Sequence, residues 1–534
     1  MPTERETIRP QRDREPLDLS ADVLVMGGGP AGAWAAIAAS AAGARVILVD
    51  KGYLGTSGAT APSNTGTWFV PSEARRAAIE QRQPRTGGLA DPRWVERTLD
   101  AAWDRLHALA AWGYPFPADD AGQPYLANLR GPDYMHFMRR RVLAAGATVL
   151  DHHPALELLA DGEVVAGAAG IDRQRDRPWR IRAGAVVLAT GGCAFGERML
   201  GTATLTGDGY LMAAEAGAAM SGMEFSAQYA FTPKPSALNK GLPYRWATFT
   251  REDGTPIIAA GRDRHAAVAE AMLEGPVFCR FDRATPELRD WLRQGQPNCF
   301  LPHDRNAVDP FTERWPVTLR CEGTVRGVGG IRLLDDDCAT DVPGLYAAGD
   351  AATREQVTGA ISGGGGPNSS WAIASGNWAG RAAATFAARA GGRVADRPVS
   401  ALGRAGLRPA ATPRQDLDPR EVVGLVRDEM LPLDRNFFRR EATLRRSLDR
   451  LDGCWADLRG HALGEGLDAV RLREAAALTA TSRWAYRSAL ARAESRGMHR
   501  RSDRPEPDPG LACSLHASGL DEVRIALAGG TTRS

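Results

Sequence analysis

Apolar and polar residues are grouped along the chain in a way that predicts alternating strands and helices. A short apolar run at 23–26 precedes a glycine-rich turn and an alanine-rich stretch with helical spacing, and a second apolar run covers 45–49. Short continuous apolar runs are typical of buried strands, and apolar positions that recur every three or four residues are typical of helices. The chain is therefore predicted to open with the strand, helix and strand of a doubly wound α/β domain.

This first domain is predicted to be interrupted and then resumed. A helix is predicted over 91–113 and short strands over 148–190, whereas 225–328 is irregular and richer in Pro, Asn and Arg. The run GLYAAGD at 344–350 then restores the pattern of a strand that ends in glycine. We therefore predict an α/β fold in which an α+β capping domain is inserted into a discontinuous Rossmann-like domain.

The last part of the chain is predicted to be mainly helical. Prolines between 396 and 420 indicate an extended connection, and the apolar residues from Leu444 to Leu458 recur with steps of four and three, as in a packed helix. The predicted units are 16–225 and 329–395 for the two parts of the Rossmann-like domain, 226–328 for the cap, 396–505 for a C-terminal helical domain and 506–534 for a tail.

The turn after the first strand carries the most informative motif, Gly27-x-Gly29-x-x-Gly32, with Pro30 and Ala31 between its last two glycines. Gly27 permits a sharp turn, and Gly29 permits backbone N–H groups to approach a pyrophosphate. Gly32 permits the helix to pack closely on the strand, and the dipole at the helix N-terminus faces the phosphate charge.

An acidic residue stands at the expected distance from these glycines. The second strand ends in Asp50, about 18 residues after Gly32, where a carboxylate normally accepts hydrogen bonds from an adenosine ribose. Lys51 follows it and is predicted to belong to the same site. Strand, glycines, helix and acid together predict an ADP-containing cofactor.

Composition excludes several other classes of protein. The 66 basic and 64 acidic residues give a formal charge of +2, which offers no reason to expect nucleic-acid binding. The seven cysteines contain no CxxC pair, so neither an iron–sulfur site nor a disulfide framework is predicted, and no cluster has metal-ligand spacing. Without a signal peptide or a long apolar segment, the protein is expected to be cytoplasmic, with no membrane insertion.

Further segments carry a resemblance to a known family. They are Thr190-Gly191-Gly192, Thr206-Gly207-Asp208-Gly209, the run from Thr340 to Asp350, and the run from Arg492 to Asp503 with the string Glu-Ser-Arg-Gly-Met-His. In this order, and with the glycine motif, they resemble the flavoprotein family of succinate dehydrogenase, fumarate reductase, L-aspartate oxidase and the α subunit of adenylylsulfate reductase. The resemblance covers roughly residues 20–505.

The resemblance implies FAD as the cofactor. Gly349 permits close backbone approach, and the Asp350 carboxylate can accept hydrogen bonds from ribityl hydroxyls. A glycine-rich loop leads to a helix N-terminus that would favour negative charge on the reduced flavin, although a flexible loop with a polar helix cap is the alternative. The remaining predicted FAD contacts are Thr190, Gly191, Asp208, Asn368, Ser369 and Ser370.

The chain departs from its best-known relatives at the site of covalent flavin attachment. Succinate dehydrogenases and fumarate reductases carry the attached histidine where this chain has Gly58. The segment Ser57-Gly58-Ala59 is more similar to the adenylylsulfate reductase branch. We therefore expect these residues to contact a noncovalent FAD.

The family's dicarboxylate-binding side chains are also absent. Ala230, Val325 and Gly364 occupy the positions of its two histidines and its arginine. Because carboxylates buried without cationic partners are strongly disfavoured, succinate, fumarate and aspartate are poor substrate candidates. Arg245, Arg320 and Arg326 are cations that could replace the lost groups, although such residues are more often surface or packing residues than ligands.

Four residues are candidates for catalysis or substrate contact. The resemblance implies that Arg262, in Gly261-Arg262-Asp263, is the proton donor of the cap, although an exposed Arg–Asp pair at a helix start is an equal alternative. It also places Arg496 and His499 at the pocket, where a structural hydrogen-bond network explains them almost as well. Arg326 is the third predicted substrate-lining residue.

These observations predict an FAD-dependent oxidoreductase that moves two electrons between a small molecule and the flavin. In the adenylylsulfate reductase branch, a separate ferredoxin-like iron–sulfur protein is the implied electron partner. One alternative is a flavoenzyme that works alone, similar to aspartate oxidase or reducing enones. The other alternative is a flavin-bearing scaffold subunit whose active site has decayed.

Overall fold

The computed structural model describes residues 15–62, 64–118, 121–239, 241–259, 263–390, 394–414, 416–528 and 532–533. Its strands are β1 (Leu17–Met26), β2 (Val46–Val49), β3 (Asn64–Gly66), β4 (Asn128–Arg130), β5 (Thr148–Leu150), β6 (Ala155–Asp161), β7 (Val164–Asp172), β8 (Arg177–Leu188), β9 (Met220–Ser221), β10 (Tyr229–Pro233), β11 (Thr248–Arg251), β12 (Val277–Arg280), β13 (Trp315–Cys321), β14 (Gly330–Ile331), β15 (Leu345–Ala347), β16 (Ser400–Ala401), β17 (Leu515–Ser518), β18 (Arg524–Leu527) and β19 (Thr532–Arg533).

Helices connect and cover these strands. They are α1 (Pro30–Ala41), α2 (Arg75–Arg82), α3 (Pro92–Ala111), α4 (Gly131–Ala144), α5 (Asp208–Glu215), α6 (Arg264–Glu274), α7 (Pro286–Gly295), α8 (Leu301–Asp304), α9 (Gly323–Arg326), α10 (Glu355–Thr358), α11 (Gly365–Ala390), α12 (Pro419–Met430), α13 (Glu441–His461) and α14 (Leu467–Ala491).

An eight-stranded sheet forms the centre of the molecule, in the order β16-β6-β7-β8-β1-β2-β5, with β15 also paired to β8. Strands β5, β2, β1, β8 and β15 run parallel, whereas β6, β7 and β16 pair antiparallel. Every residue of Val23–Met26 and of β2 is buried, as is typical of parallel strands covered on both faces. Strand β15 follows the cap in sequence and completes the sheet, which gives the predicted α/β fold with a discontinuous Rossmann-like domain.

Helices α1 and α11 pack against each other beside this sheet through small residues. A Cβ atom at Gly376 or Gly380 would overlap the backbone oxygen of Ala31 or Ala35 in α1. The glycines therefore let two helix backbones approach more closely than any larger side chain would permit. Helix α11 already begins at Gly365, inside the glycine-rich run that the sequence indicated as a loop.

The cap is a separate layer built on the antiparallel sheet β10-β13-β12-β11. Its core is aromatic: the ring centroids of Phe231 and Phe249 are 4.6 Å apart, and so are those of Phe281 and Trp315. The cap reaches the sheet domain through Asn298, whose Nδ2 donates to the Pro62 carbonyl, and through Asn64, which donates to the Gly295 carbonyl.

The C-terminal helices α12, α13 and α14 pack together and against the sheet domain. A buried ion pair joins Arg473 of α14 to Glu215 of α5, with 2.5 Å between Nη2 and Oε2. The hairpin β17-β18 pairs with β9, so part of the predicted tail completes a five-stranded sheet. Among the described residues, no helix combines the length and the apolar character needed to cross a lipid bilayer.

Candidate functional site

A cavity of about 940 Å³ lies where four parallel strands end. Met26 pairs with Val49 and with Leu188, and Leu188 pairs with Ala347. The residues that follow β1, β2, β8 and β15 are therefore brought to one edge of the sheet. Ligands of open α/β sheets bind at this edge.

The cavity has two walls. The cap wall consists of the lining residues between Gln228 and Arg326, and the sheet wall consists of the other lining residues. Among the predicted site residues, Arg326 lies in the cap wall and the sheet wall contains Gly27, Gly29, Pro30, Ala31, Asp50, Lys51, Ser57, Gly58, Ala59, Thr190, Gly191, Gly349, Asp350, Asn368 and Ser369.

The three glycines of the motif have different surroundings. Gly27 has φ +110°, and a Cβ atom there would overlap the Ala189 carbonyl oxygen. At Gly32 a Cβ atom would overlap the Gly27 oxygen, so this glycine permits α1 to pack on the turn. At Gly29 the nearest protein atom to an added Cβ is 3.7 Å away, on Gly58. Gly29 therefore faces open cavity at the N-terminus of α1, where a pyrophosphate would be favoured.

Asp50 is held rigidly by protein donors. Its Oδ2 accepts from the Gly28 N–H, and its Oδ1 accepts from the Gly52 N–H at 2.7 Å and from the Ser57 hydroxyl at 2.5 Å. Because each carboxylate oxygen has two lone pairs, capacity remains for a ribose hydroxyl.

The three N–H donors of the Lys51 ammonium group are all used in hydrogen bonds to the protein. Its Nζ donates to Thr206 at 2.9 Å, to Asp208 at 2.7 Å and to Glu474 at 3.0 Å. Burial opposes the charge, but the two carboxylates raise the pKa of this lysine well above its usual value. An ammonium group has three donors, so the side chain links α5 to α14. Asp208 itself does not line the cavity.

Two buried polar groups in the sheet wall lack a protein partner. Neither Oδ1 nor Nδ2 of Asn368 makes a hydrogen bond within the described structure, nor does Oγ1 of Thr190. An unsatisfied buried polar group costs about 1–3 kcal/mol. A bound ligand with both donors and acceptors would remove this cost, and the pyrimidine ring and ribityl chain of FAD carry both.

Gly349 and Asp350 also line the cavity, and an added Cβ at Gly349 would lie 2.7 Å from the Ala31 Cβ of α1. Gly349 has φ +65°, and its carbonyl accepts from Trp371 Nε1 at 2.9 Å. The Asp350 Oδ1 accepts from Arg354 Nη1 at 2.5 Å, while burial raises the pKa of its carboxyl. The pair thus offers close backbone approach and a partly free carboxylate, as FAD would require.

Gly58 lies directly against the glycine motif. Its φ is +85°, and an added Cβ would be 3.2 Å from the Gly29 Cα and 3.3 Å from the Pro30 Cδ. A histidine at this position would be strained by the backbone conformation as well as by crowding. The residues present therefore fit a noncovalent FAD and offer no attachment group at Gly58.

Two serines at the start of α11 have different positions. Ser369 lines the cavity and donates to the Gly66 carbonyl at 2.6 Å. Ser370 does not line it, and its buried hydroxyl accepts from the Trp68 N–H at 2.9 Å. These bonds fix the segment after β3 over the helix N-terminus.

Ala230, Val325 and Gly364, which replace the family's dicarboxylate-binding residues, all line the cavity. The substitutions therefore change the chemistry of the pocket itself. Arg326 lies beside Val325, with its Nε 3.8 Å from Oε1 of Glu322, which also accepts from Asn239 at 2.8 Å.

Arg264 and His265, at the start of α6, line the cavity in the cap wall, although the sequence did not predict them as site residues. Arg245, one of the cations considered as a replacement for the lost groups, lines the same wall. Burial lowers the pKa of His265 to about 4, so its ring is neutral near pH 7. The sequence signal that could have identified Arg264 and His265 was their position directly after Arg262-Asp263. Arg262 lies outside the described residues, and Arg320 is engaged by Glu197 at 3.0 Å.

The structure does not place Arg496 or His499 in the cavity wall. Arg496 binds Glu494 through two nitrogens and the Gly87 carbonyl through a third. The buried His499 accepts from Arg439 at 2.7 Å, and its Nε2 lies 2.9 Å from the Arg492 carbonyl. Burial lowers the pKa of His499 well below its ordinary value. Both residues belong to a buried network, and a direct substrate contact stays a prediction.

Comparison with protein families gives two matches. Residues 22–235 match the FAD binding domain family, and residues 430–516 match the family described as fumarate reductase flavoprotein C-term. These two segments contain the glycine motif and the Glu-Ser-Arg-Gly-Met-His string, respectively.

Individual proteins are similar over nearly the whole chain. L-aspartate oxidase of Mycobacterium tuberculosis is 28% identical, with 94% of this chain and 96% of that protein covered. The Mycobacterium smegmatis Sdh1 structure has a TM-score of 0.78 at 23% identity, covering 97% and 95% of the two chains. Adenylylsulfate reductase from Archaeoglobus fulgidus has a TM-score of 0.78 at 19% identity, covering 99% of each chain. The structural matches show the fold.

Proposed function

Because this chain belongs to the FAD-dependent oxidoreductases of the fumarate reductase and succinate dehydrogenase flavoprotein family, we propose that it transfers two electrons between noncovalent FAD and a small molecule bound at the cap wall. FAD, when bound, supplies the redox chemistry by taking up or releasing the electron pair. The protein supplies position, charge and exclusion of water.

The unpartnered atoms of Asn368 and Thr190 are the observation that carries this proposal. They lie on the same wall as Gly29, whose α-carbon faces open cavity. Asp50 would bind the ribose, α1 the pyrophosphate, Asp350 the ribityl chain, and Asn368 the flavin ring. This distribution along one wall matches an extended dinucleotide.

The substrate is proposed to differ from a dicarboxylate. Ala230, Val325 and Gly364 offer neither cation nor hydrogen-bonding side chain where the family binds two carboxylates. Arg326 is proposed to contact the substrate from the cap wall. The proton-donor role of Arg262 likewise stays a proposal, supported by the position of its neighbours Arg264 and His265 on the cavity.

Electron exchange with a separate ferredoxin-like iron–sulfur protein is the favoured route. The absence of CxxC pairs from the sequence means that such a cluster would have to come from another protein. A stand-alone oxidase is the second candidate, because the similarity to L-aspartate oxidase extends over 94% of this chain.

The purified holoenzyme tests these proposals. Acid precipitation is expected to leave a yellow supernatant, because Gly58 offers no side chain for attachment; flavin retained in the pellet would contradict noncovalent binding. The flavin of this holoenzyme, once reduced, is expected to reoxidise slowly in air. Rapid reoxidation without a partner protein would favour the stand-alone oxidase.

A further inference from the structure

The cap wall contains more cationic than anionic side chains. Among the described residues they are Arg245, Arg264, Arg326 and Glu322. Glu322 is already engaged, since Arg326 lies 3.8 Å from it and Asn239 donates to it. The two remaining arginines have no carboxylate within 4.0 Å in the part of the chain that the structure describes.

A third arginine adds to this charge. Arg283 donates from Nη2 to the Arg245 carbonyl at 2.9 Å, and it too has no carboxylate partner among the described residues. Burial and the nearby charges of Arg283 and Arg245 lower the pKa of Arg264, although Asp263 opposes this. Asp263 is itself engaged by Arg500, at 2.5 Å between Oδ2 and Nη2. Arg245 and Arg283 are exposed, Arg264 is half-buried, and none of the three pairs with a carboxylate within the described part of the chain.

Arg264 is the first residue of α6, an 11-residue helix, and both Arg264 and His265 line the cavity. The helix N-terminus itself is capped by Asp263, whose Oδ1 accepts from the His265 N–H at 3.0 Å, so the positive charge at this wall comes from the guanidinium groups. His265, the next residue, contributes a neutral ring because its pKa is lowered by burial. Because the charges of Arg283 and Arg245 disfavour the charged form of Arg264, an anion placed among the three arginines would offset their mutual repulsion.

We propose that Arg245 and Arg264, with Arg283 beside Arg245, form an anion-binding site at the cap wall that receives a carboxylate, sulfonate or phosphate group of the substrate. The proposal rests on the proposed function, because it assigns that anion to the molecule that exchanges electrons with FAD. It places the anionic group on residues different from the dicarboxylate-binding positions, which are apolar or glycine here.

The first test measures anion binding by the FAD-loaded enzyme. Sulfate, compared with chloride at matched ionic strength, is expected to raise the melting temperature of the wild-type holoenzyme. Arg264→Gln and Arg245→Gln are each expected to weaken the apparent sulfate affinity about 10- to 100-fold, because each removes a charge-assisted hydrogen-bond donor. Without sulfate, Arg264→Gln is expected to melt no lower than wild type, since it relieves repulsion.

Arg251→Gln is the matched control, because this cap arginine is already paired with Glu274 and does not line the cavity. It is expected to keep the sulfate response of the wild type. Equal stabilisation of all three variants by sulfate would contradict the proposed anion-binding site. A failure of the proposed function is recognised separately, because it would appear as purified protein that has no flavin absorption spectrum. Such protein would not be used to measure sulfate binding.

The second test distinguishes a substrate group from a free anion. Benzoate and benzamide share one ring and differ in charge, so their effects on the absorption spectrum of bound FAD can be compared directly. Benzoate is expected to perturb the spectrum, to compete with sulfate and to bind about 10-fold more weakly to Arg264→Gln, whereas benzamide is expected to bind poorly. Sulfate binding without any flavin perturbation by benzoate would overturn the assignment to the substrate.

Discussion

The sheet wall and the cap wall of the cavity recognise ligands by different physical means. The sheet wall is shaped by backbone: Gly27 and Gly32 allow close contacts, and Gly29 leaves space at a helix N-terminus. The cap wall is shaped by side chains, among them Arg245 and Arg264, which have no carboxylate partner within the described residues. Cofactor binding thus depends on local backbone conformation, whereas the proposed substrate site depends on which side chains the cap brings together.

The difference also appears in how polar groups are satisfied. On the sheet wall Asp50 and Lys51 are bound by protein partners, so their geometry is fixed before any ligand arrives. Only selected atoms, such as the Asn368 amide, are left for the ligand. On the cap wall the guanidinium groups of Arg245 and Arg264 have no carboxylate partner among the residues that the structure describes. A preorganised wall suits one invariant cofactor, and a charged wall suits selection among substrates.

Substitutions in the glycine motif give the largest expected effect. Gly29→Val is expected to abolish FAD binding while the fold is kept, because its side chain would fill cavity and not protein. Gly32→Ala is expected to lower the free energy of unfolding by several kcal/mol, because its Cβ would overlap the Gly27 oxygen. Flavin absorbance and thermal unfolding of each variant measure the two effects.

Gly424→Val is a suitable control for these variants, because nothing lies within 4 Å of an added Cβ at this helical glycine. It should retain full flavin content. A yellow, fully loaded Gly29→Val protein would show that the sheet wall does not hold the pyrophosphate at this position.

An intermediate effect is expected at Asn368. Asn368→Leu would remove the unpartnered amide, and FAD affinity is expected to fall about 10- to 100-fold, the equivalent of one or two hydrogen bonds. Titration of the apoprotein with FAD, followed by flavin fluorescence, measures the change. Asn377→Ala, on the same helix but bonded to the Ile373 carbonyl, should leave the affinity within a few fold of wild type.

The smallest expected effect concerns the pH dependence of the cap wall. Because the folded pKa of His265 is about 4 and its ordinary value is 6.5, the unfolded chain binds a proton that the folded protein does not between these values. Stability is therefore complete above about pH 6.5 and is lost as the pH falls toward 4. His265→Gln is expected to reduce the loss between pH 7 and pH 5 by about 1 kcal/mol, after allowance for partial exposure.

Urea unfolding at several pH values would measure this difference. His107→Gln, at an exposed histidine of α3, serves as the control and should follow the wild-type pH dependence. Identical acid losses in the wild type and His265→Gln would mean that the His265 ring is solvated in the folded protein.

Several features of the fold could be read from the sequence because they depend on neighbouring residues. The strand, turn and helix around Gly27 to Gly32 follow from local apolar pattern and glycine conformation. The start of α11 at Gly365 could not be read in this way, because glycine disfavours helix interiors. Gly376 and Gly380 let the middle of α11 lie directly on α1, a contact that the local pattern likewise does not reveal.

The candidate site was predicted unevenly for the same reason. Asp50 and Asn368 follow motifs and do line the cavity, whereas Arg496 and His499 share a motif but lie in a buried network. A motif specifies which residues recur together, and it does not specify whether their side chains face a ligand or each other. Arg264 stood beside the predicted Arg262, but only the orientation of α6 places it on the cavity.

The sequence by itself determined the class of cofactor, the order of the domains and the absence of a histidine at position 58. These properties depend on residue identity and short spacing, which are local. The tertiary structure decided that Lys51 pairs with Asp208 and Glu474, that Asn368 has no hydrogen-bond partner among the described residues, and that Arg245 and Arg264 line the cavity. The Lys51 ion pairs join segments more than 100 residues apart, and the surroundings of Asn368 and of the cap arginines likewise exist only when the chain has folded.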